Sequence, residues 1–149
     1  MRCAVAITIT LLTGCVLRHG PEALPSEGCS GRVQADMVEQ AGMVTHRLAI
    51  TNDSTNPKTN ATELDVMFES GPLPVEVLSP TGWTAFIRVC DDGRRVCGIE
   101  WRGCPGVTPG QTLDGFSITF ASEHAPQRRG WGLRVGECRT GELSGFAVG

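Results

Sequence analysis

Cys15 is the first side chain in the sequence whose surroundings point to a specific chemistry. It closes the stretch MRCAVAITITLLTGC, in which Arg2 and the amino terminus supply positive charge and Ala4–Leu12 is almost wholly apolar. That apolar run is too short to cross a hydrocarbon core about 30 Å thick, which needs about 20 helical residues. A positive end, a short apolar stretch and small residues are typical of a secretory signal peptide. The sequence therefore predicts export, with the Cys15 thiol next to the cleavage point.

The residues Leu12-Thr13-Gly14-Cys15 resemble the lipobox of bacterial lipoproteins, in which a leucine and two small residues precede a cysteine. The resemblance implies a diacylglycerol thioether on the Cys15 sulfur, cleavage between Gly14 and Cys15, and acylation of the new amine, for example by palmitate. Two or more buried acyl chains hold a protein stably at a bilayer, where one chain does not. We therefore interpret residues 1–14 as a signal peptide and Cys15 as a lipid anchor.

Cysteines in the rest of the chain could form disulfides, which persist in exported proteins. With Cys3 and Cys15 set aside, the remaining five are Cys29, Cys90, Cys97, Cys104 and Cys138. Because five is odd, at least one thiol is left over or pairs with another chain.

Two pairings are favoured by position. Cys90 and Cys97 flank a predicted hairpin tip, where opposed residues come close enough to bridge. Cys29 and Cys138 lie near the two ends of the folded part, and their bond would close a loop of roughly a hundred residues. Cys104 is then the candidate free thiol, although a Cys97–Cys104 bond with Cys90 left over is an alternative.

The spacing of Cys90, Cys97 and Cys104 also raises the question of a metal. Six residues separate each neighbouring pair and no histidine follows nearby, whereas structural zinc sites use ligand pairs with roughly two to four residues between them. We predict no metal site and no other cofactor.

Composition excludes nucleic acid as a partner. Without Arg2 the chain carries 12 basic and 16 acidic side chains, a balance of −4, and no basic patch of the kind that follows phosphate groups is present. Residues 15–28 lack apolar periodicity and predict a flexible spacer behind the lipidated end. Residues 29–149 are then one domain.

No nucleophile paired with a general base can be recognised in the sequence. His46 lies on the apolar face of a predicted strand, where a core or rim histidine is expected. His124 follows a strand beside Glu123, but adjacent residues of an extended chain point apart. The run Gly141–Gly145 lacks the spacing of a nucleophile elbow. We predict that the protein is not an enzyme, and a hydrolase with an unidentified site is the third hypothesis.

Polar clusters in predicted loops are interpreted as structural. Asp91-Asp92 beside Gly93 predicts capping of backbone amides in a turn. Residues 52–54 with Asn56 offer oxygens but lack the alternation of a calcium-binding EF-hand loop. Asn52 and Asn60 begin glycosylation sequons, which we interpret as ordinary polar loop residues.

The three tryptophans could stack on sugar rings if they lined an exposed face. Trp101 and Trp131 alternate in phase with apolar neighbours, as core residues do. Trp83, beside Gly82 at the start of a strand, is the one tryptophan expected to be exposed. It is therefore the candidate ligand contact, and a glycan is the candidate ligand.

Alternating apolar and polar residues predict strands along most of the domain. The predicted strands are Met43–Ile50, Thr62–Ser70, Val75–Leu78, Thr84–Cys90, Val96–Trp101, Phe116–Ala121, Trp131–Val135 and Leu143–Val148. The segment Arg32–Gln40 fits either a short helix or an edge strand. About eight short strands with one polar face predict two packed antiparallel sheets.

Four motifs in the middle of the chain resemble immunoglobulin-like or fibronectin III-like domains, in the order seen there. They are LAITNDS (48–54), PTGWTA (80–85), EW (100–101) and VTPGQTLDGFS (107–117). The resemblance covers roughly residues 43 to 121 and implies the fold, but it brings no catalytic residues. The cysteines depart from a simple module of this kind and indicate an elaboration around residues 90–104.

We therefore predict an all-β, antiparallel two-sheet sandwich of immunoglobulin-like form on a lipid anchor. The expected location is the bacterial cell membrane or outer membrane. The expected role is non-catalytic, either as a structural part of the envelope or as a module that binds an envelope protein. An exposed sheet edge would be the natural docking place, by addition of a strand. The alternative is a glycan-binding module that uses Trp83.

Overall fold

The computed structural model describes residues 28–136 and 138–140, which are mostly strands. The strands are β1 (Gly31–Gln40), β2 (Met43–Asn52), β3 (Ala61–Gly71), β4 (Glu76–Leu78), β5 (Trp83–Val89), β6 (Val96–Val107), β7 (Thr112–Ala121), β8 (Arg128–Val135) and β9 (Cys138–Thr140). The predicted all-β class is confirmed, with nine strands in the described residues where about eight were expected. The ambiguous segment Arg32–Gln40 lies within strand β1, and the predicted strand Leu143–Val148 lies outside the described residues.

The strands form two antiparallel sheets, as predicted. One sheet has the order β1-β2-β7-β4, and the other has the order β5-β6-β3-β8-β9. Among the described residues, the edge strands are therefore β1 and β4 in the first sheet and β5 and β9 in the second.

The hydrophobic core lies between the sheets, because alternate residues of the long strands face inward. In β2, for example, Leu48 and Ile50 are buried while Arg47 is exposed. Burial of an aliphatic or aromatic side chain stabilises the fold by about 1.5–3 kcal/mol relative to exposure. The largest fully buried side chains are Trp101, Phe116, Phe120, Ile50, Leu64, Ile99, Ile118 and Leu133.

A tight turn sets the register of the first hairpin. Gln40 pairs with Met43, which leaves Ala41 and Gly42 as the two loop residues. Both have positive φ, 52° and 75°. Two successive residues with positive φ form the turn whose twist matches that of the flanking strands. The hairpin then places Val33, Ala35 and Met37 of β1 beside the inward-facing residues of β2.

Both of the disulfides favoured by the sequence are present. Cys29 is bonded to Cys138 with a Cα–Cα distance of 6.0 Å, and Cys90 is bonded to Cys97 with a Cα–Cα distance of 5.4 Å. Disulfides of this kind indicate an oxidising compartment outside the cytoplasm.

The expectation for Cys104 needs correction. Cys104 is itself disulfide-bonded, so it is not a free thiol in the structure. The alternative Cys97–Cys104 bond is also wrong, because Cys97 pairs with Cys90 across the β5–β6 hairpin.

Helical structure is minor in the described part of the chain. Its one helical element there is the three-residue 3-10 helix Ser122–His124. No helix in the described residues has the length and apolar character needed to span a membrane.

The Cys29–Cys138 bond is predicted to stabilise the fold more than the Cys90–Cys97 bond does. Their sequence separations are 109 and 7 residues, and a disulfide that closes a longer loop removes more entropy from the unfolded chain. We expect the double variant Cys29→Ser/Cys138→Ser to lose about 2 kcal/mol more unfolding free energy than Cys90→Ser/Cys97→Ser. Guanidinium unfolding of the three proteins measures this difference. An equal or smaller loss for the Cys29–Cys138 variant would contradict the prediction.

Candidate functional site

The two lateral sides of the sandwich differ. On one side, which we call the closed side, β1 contacts β8 and the Cys29–Cys138 bond joins the residue before β1 to β9. Gly31 has no room for a side chain there because Leu133 and Val135 pack against it. The other side, which we call the open side, carries the edges of β4 and β5. The described chain begins at Gly28 and ends at Thr140, both on the closed side.

Strand β5 has a free backbone edge on the open side, because β6 is its one strand partner among the described residues. The Cys104 amide donates to the Gly82 carbonyl at 3.3 Å, so residue 82 belongs to a hydrogen-bonded pair with residue 104. Hydrogen-bonded and non-bonded pairs alternate along an antiparallel ladder. The even-numbered residues of β5 therefore bond to β6, and the amide and carbonyl of Ala85 and Ile87 point away from it, toward the open side.

Large apolar side chains are concentrated on the open side. Ile87 and Val89 occupy inward-facing positions of β5, yet they are 47% and 52% exposed. The opposing edge strand β4 has three residues and does not cover them. Of the eight large hydrophobic side chains that are exposed in the described residues, these six lie on β5, on β4 or just before it: Leu73, Val75, Leu78, Phe86, Ile87 and Val89.

The outer face of the second sheet carries a buried ion-pair network beside this edge. The Arg88 guanidinium lies 3.0 Å from Asp65 and also donates to Glu100, with its Nε at 3.1 Å. Arg102 donates to the other oxygen of Glu100. Asp65 and Glu100 are cross-strand neighbours on β3 and β6 and are only 5% and 4% exposed. The network therefore binds β5, β6 and β3 to one another.

The pKa values follow from these contacts. Burial alone would raise the pKa of Glu100, but the hydrogen bonds and positive charges of Arg88 and Arg102 outweigh burial and hold it below the ordinary value. Burial alone would likewise lower the pKa of Arg88, but its hydrogen bond to Glu100 and the charges of Asp65, Glu100 and Glu63 raise it. Glu100 and Arg88 are therefore both charged near neutral pH, which keeps their ion pair intact.

Phe86 completes the surface. It projects from the outer face of β5, it is 45% exposed, and the Arg102 guanidinium carbon lies 5.1 Å from its ring centroid. This is within the range of a cation–π contact. The open side thus combines three features. Strand β5 has an edge without a partner among the described residues, it carries exposed apolar side chains on its inner and outer faces, and an arginine lies next to its aromatic ring.

The expectation that Trp83 is exposed is wrong. Trp83 is 8% exposed and packs edge to face against Phe116, with ring centroids 5.0 Å apart. The backbone of Gly103, its cross-strand neighbour, lies against the ring so closely that a Cβ there would overlap the indole. Because these contacts enclose the indole in the core, Trp83 does not offer a sugar-stacking platform.

The other two tryptophans are also in or against the core, as predicted. Trp101 is fully buried, and its indole nitrogen donates to Ser79 Oγ at 3.1 Å. Trp131 is partly buried against the core.

His46 is buried at the end of the core, as expected for a core or rim histidine. Its ring packs edge to face against Phe68 and Phe120 at centroid distances of 5.4 and 6.2 Å. Burial and the positive charge of Arg128 lower the pKa of His46, so the ring is neutral at physiological pH. It also borders an open recess of about 510 Å³. His124 lies exposed in the 3-10 helix.

The loop residues have structural roles. The Asp92 carboxylate accepts from the amides of Arg94 and Arg95 at 3.0 and 3.1 Å, and these hydrogen bonds, with that from the Arg95 side chain, lower its pKa. This is the turn-capping role that the sequence indicated. Asn52 is not an ordinary polar loop residue, because it is fully buried. Its side-chain amide donates to the carbonyls of Thr59 and Val107 at 2.7 and 2.8 Å, so it holds loops together and is inaccessible to a glycan.

Two of the predicted site residues, Gly14 and Cys15, lie outside the described residues. Their predicted cleavage and lipidation therefore concern a part of the chain that the structure does not describe. Within residues 28–136 and 138–140, no group of three or more His, Cys, Asp or Glu side chains is placed to hold a metal ion.

The sequence predicts a sheet edge as a docking place but does not indicate which strand provides it. The alternation in Thr84–Cys90 gives no sign that Ile87 and Val89 are uncovered, because that depends on the lengths of strands in the other sheet. The ion pairs of Asp65 were likewise not predicted from the sequence. The sequence does contain one signal for this network. Asp65 and Glu100 are acidic residues on two predicted strands, and Arg88 and Arg102 are outward-facing in the same alternating pattern or just beyond it.

Comparison with known proteins defines the fold. The chain matches no protein family and no curated protein. Among solved structures it is similar to an uncharacterized protein from Nocardia farcinica whose crystal structure reveals an immunoglobulin-like fold. The TM-score is 0.52 at 18% sequence identity, over 78% of this chain and 87% of that chain. The domain is thus an immunoglobulin-like β-sandwich, as the sequence motifs implied.

We expect Glu100→Gln to destabilise the protein by about 1–2 kcal/mol at pH 7, since it removes a charge that two arginines contact. The arginine side chains are 39% and 63% exposed, which keeps the effect toward the low end for buried pairs. Because the folded-state pKa of Glu100 lies below its ordinary value of 4.5, its contribution is complete above that pH and is lost as the pH falls further.

Urea unfolding at pH 7 and pH 3.5 checks this prediction. The difference between wild type and Glu100→Gln should shrink at the lower pH. Glu39→Gln, on an exposed position of β1, is the matched control and should change little at either pH. A Glu100→Gln effect that is absent at pH 7, or that grows in acid, would contradict the assigned role of the network.

Proposed function

We propose that the protein is a bacterial envelope lipoprotein whose immunoglobulin-like sandwich binds another protein and performs no catalysis. The observation that carries the binding role is the open side, where β5 has an unpaired edge among the described residues and six large apolar side chains on or just before the two edge strands are exposed. Soluble proteins rarely leave such a surface without a partner.

Export is supported by two independent features. The amino-terminal stretch has the positive end, short apolar run and small residues of a signal peptide. The domain also contains two disulfides between residues that are distant or opposed in the fold, and such bonds persist in oxidising compartments.

The lipid anchor is supported by Leu12-Thr13-Gly14-Cys15. Lipid on the Cys15 sulfur and on its amine would hold the domain at the membrane surface through residues 15–28. Val16 follows the anchor, where an aspartate would favour inner-membrane retention, so the outer membrane is the proposed destination in a host with two membranes.

The geometry of the domain fits this arrangement. The first described residue, Gly28, lies on the closed side, at the opposite lateral side of the sandwich from β5. Strand addition, in which a partner strand pairs with a free sheet edge, is the binding mode that such an edge favours.

A non-catalytic role is supported by the state of the ionisable side chains. The carboxylates of Asp65 and Glu100 contact arginines, and His46 packs against two phenylalanines. A general base or nucleophile would need hydrogen-bond access to a reacting group. These contacts instead favour structural roles.

Cys15→Ser is expected to abolish lipidation, because serine provides no thiolate for the thioether. Labelled palmitate should no longer be incorporated, and any correctly trimmed protein should leave the membrane fraction after a high-salt wash. Cys3→Ser is the matched control, since it makes the same substitution inside the predicted signal peptide and should have no effect. Cell fractionation and the mass of the amino-terminal peptide measure both outcomes.

Two results would contradict the lipid anchor. One is a Cys15→Ser protein that is trimmed after Gly14 and still sediments with membranes. The other is a non-reducing peptide map of the wild type in which Cys15 is disulfide-bonded to Cys104. Because the other four cysteines of the trimmed chain pair with one another, a lipidated Cys15 requires that Cys104 be reduced or bonded to another molecule in the mature protein.

A further inference from the structure

The surroundings of His46 suit a neutral imidazole and not a charged one. The side chain is 7% exposed and packs edge to face against Phe68 and Phe120. Its Nε2 atom is buried and has no hydrogen-bond partner within the part of the chain that the structure describes. An imidazolium carries an N–H on both ring nitrogens, and a buried charge without paired hydrogen bonds is strongly unfavourable. The geometry of the site therefore opposes protonation of His46.

The charged groups around His46 do not offset this burial. Arg128, at the start of β8, acts on the ring with a positive charge, which also opposes protonation. Among the described residues no acid supplies a compensating negative charge, because burial and Arg128 are the two causes of the lowered pKa of His46. The segment of β7 that pairs with β2 beside His46, residues 116–121, contains no charged side chain. The remaining charged residues at this end of the packed elements are exposed: Asp36 and Glu39 on β1, Arg47 on β2, Glu69 on β3, Glu123 and His124 in the 3-10 helix, and Arg129 on β8.

The open recess of about 510 Å³ adjoins the ring. One wall comes from β1 and β2 and includes Met37 and Val44. The other wall comes from residues 125–128, which lead from the 3-10 helix into β8. Met37 is the strand partner of His46 and is 64% exposed, so solvent reaches this wall. The recess thus offers a charged ring the hydration that the core does not.

We propose that His46 is an acid-operated conformational switch, in which the protonated ring leaves Phe68 and Phe120 and turns into the recess. The two phenylalanines then lose an aromatic partner, and water enters the end of the core beside the β1–β2 turn. The neutral state is closed and the charged state is open, as in other switches that depend on histidine protonation. Because the proposed location lies outside the cytoplasm, the domain would meet the pH of its surroundings directly.

The pH range of the switch follows from the direction of the pKa shift. Burial first, and the charge of Arg128 second, lower the pKa of His46 in the closed state below its ordinary value of 6.5. A solvated ring therefore takes up a proton first, and the closed state loses stability as the pH falls below 6.5. Well above that pH the ring is neutral in both states and contributes no pH dependence. Glu100, whose pKa is held below its ordinary value of 4.5, is still charged where the switch begins to act.

NMR of the full-length protein in detergent micelles, between pH 7.5 and pH 4.5, tests the switch directly. The ring signals of His46 should titrate with a midpoint below 6.5. As His46 protonates, the nuclear Overhauser effects from its ring to Phe68 and Phe120 should disappear. Those between Trp83 and Phe116, farther along the core, should persist and show that the domain is still folded.

His46→Phe removes the titrating group and keeps an aromatic ring between Phe68 and Phe120. Between pH 7.5 and pH 5.5, the unfolding equilibrium constant in urea should rise by up to about tenfold more in the wild type than in this variant, since the lower pH lies one unit below 6.5. His124→Gln, at an exposed position, is the matched control and should keep the wild-type rise. If His46→Phe does not fold, the NMR titration of the wild type decides the question alone.

Four results would overturn the proposal. Three of them are a His46 midpoint at or above 6.5, a protonated His46 that keeps its contacts with both phenylalanines, and a rise in unfolding that is equal in the wild type and His46→Phe. The fourth is a ring that stays neutral until the whole domain unfolds, because no open folded state would then exist.

Discussion

The unequal length of the edge strands on the open side is the constraint on which the account depends. A β-sandwich is stable because each sheet covers the apolar face of the other. On the closed side β1 contacts β8 directly, and the Cys29–Cys138 bond joins the residue before β1 to β9. On the open side β4 ends after three residues while β5 has seven. The inner face of β5 therefore reaches beyond its cover, and its apolar side chains remain exposed.

The ion-pair network explains how such an exposed strand keeps its place. An edge strand that is poorly covered on its inner face loses part of the hydrophobic stabilisation that holds a central strand. Arg88 of β5 compensates on the outer face through its contacts with Glu100 of β6 and Asp65 of β3. Because those carboxylates are almost fully buried, solvent screens these interactions less than it would screen an exposed pair. Strand β5 is thus fixed by charge on one face while the other remains open.

Local sequence patterns predicted the parts of the fold that depend on neighbours along the chain. The alternation in Met43–Ile50 and Phe116–Ala121 identified β2 and β7, and the Cys90–Cys97 pair followed from a hairpin tip. Features that depend on distant strands were not accessible in this way. Trp83 appeared exposed because nothing near it in sequence reveals that Gly103 leaves room for its ring. Asp65 and Glu100 come together only through the β3–β6 register, and the uncovered state of Ile87 is set by β4 in the other sheet.

The immunoglobulin-like fold by itself does not specify a role, since many unrelated functions use it. What distinguishes this domain is the contrast between its two lateral sides: one is joined by a disulfide, and the other has a strand edge without a partner among the described residues. The proposed binding role rests on this contrast rather than on the fold class.

Hydrogen–deuterium exchange of individual amides tests most directly whether the β5 edge is uncovered in the folded monomer. Under monomeric conditions, the Ala85 and Ile87 amides should exchange orders of magnitude faster than those of Thr84 and Phe86, which bond to β6. If Ala85 and Ile87 are as strongly protected as Phe86 in the monomer, another part of the chain already covers the edge, and the account of an open binding side is contradicted.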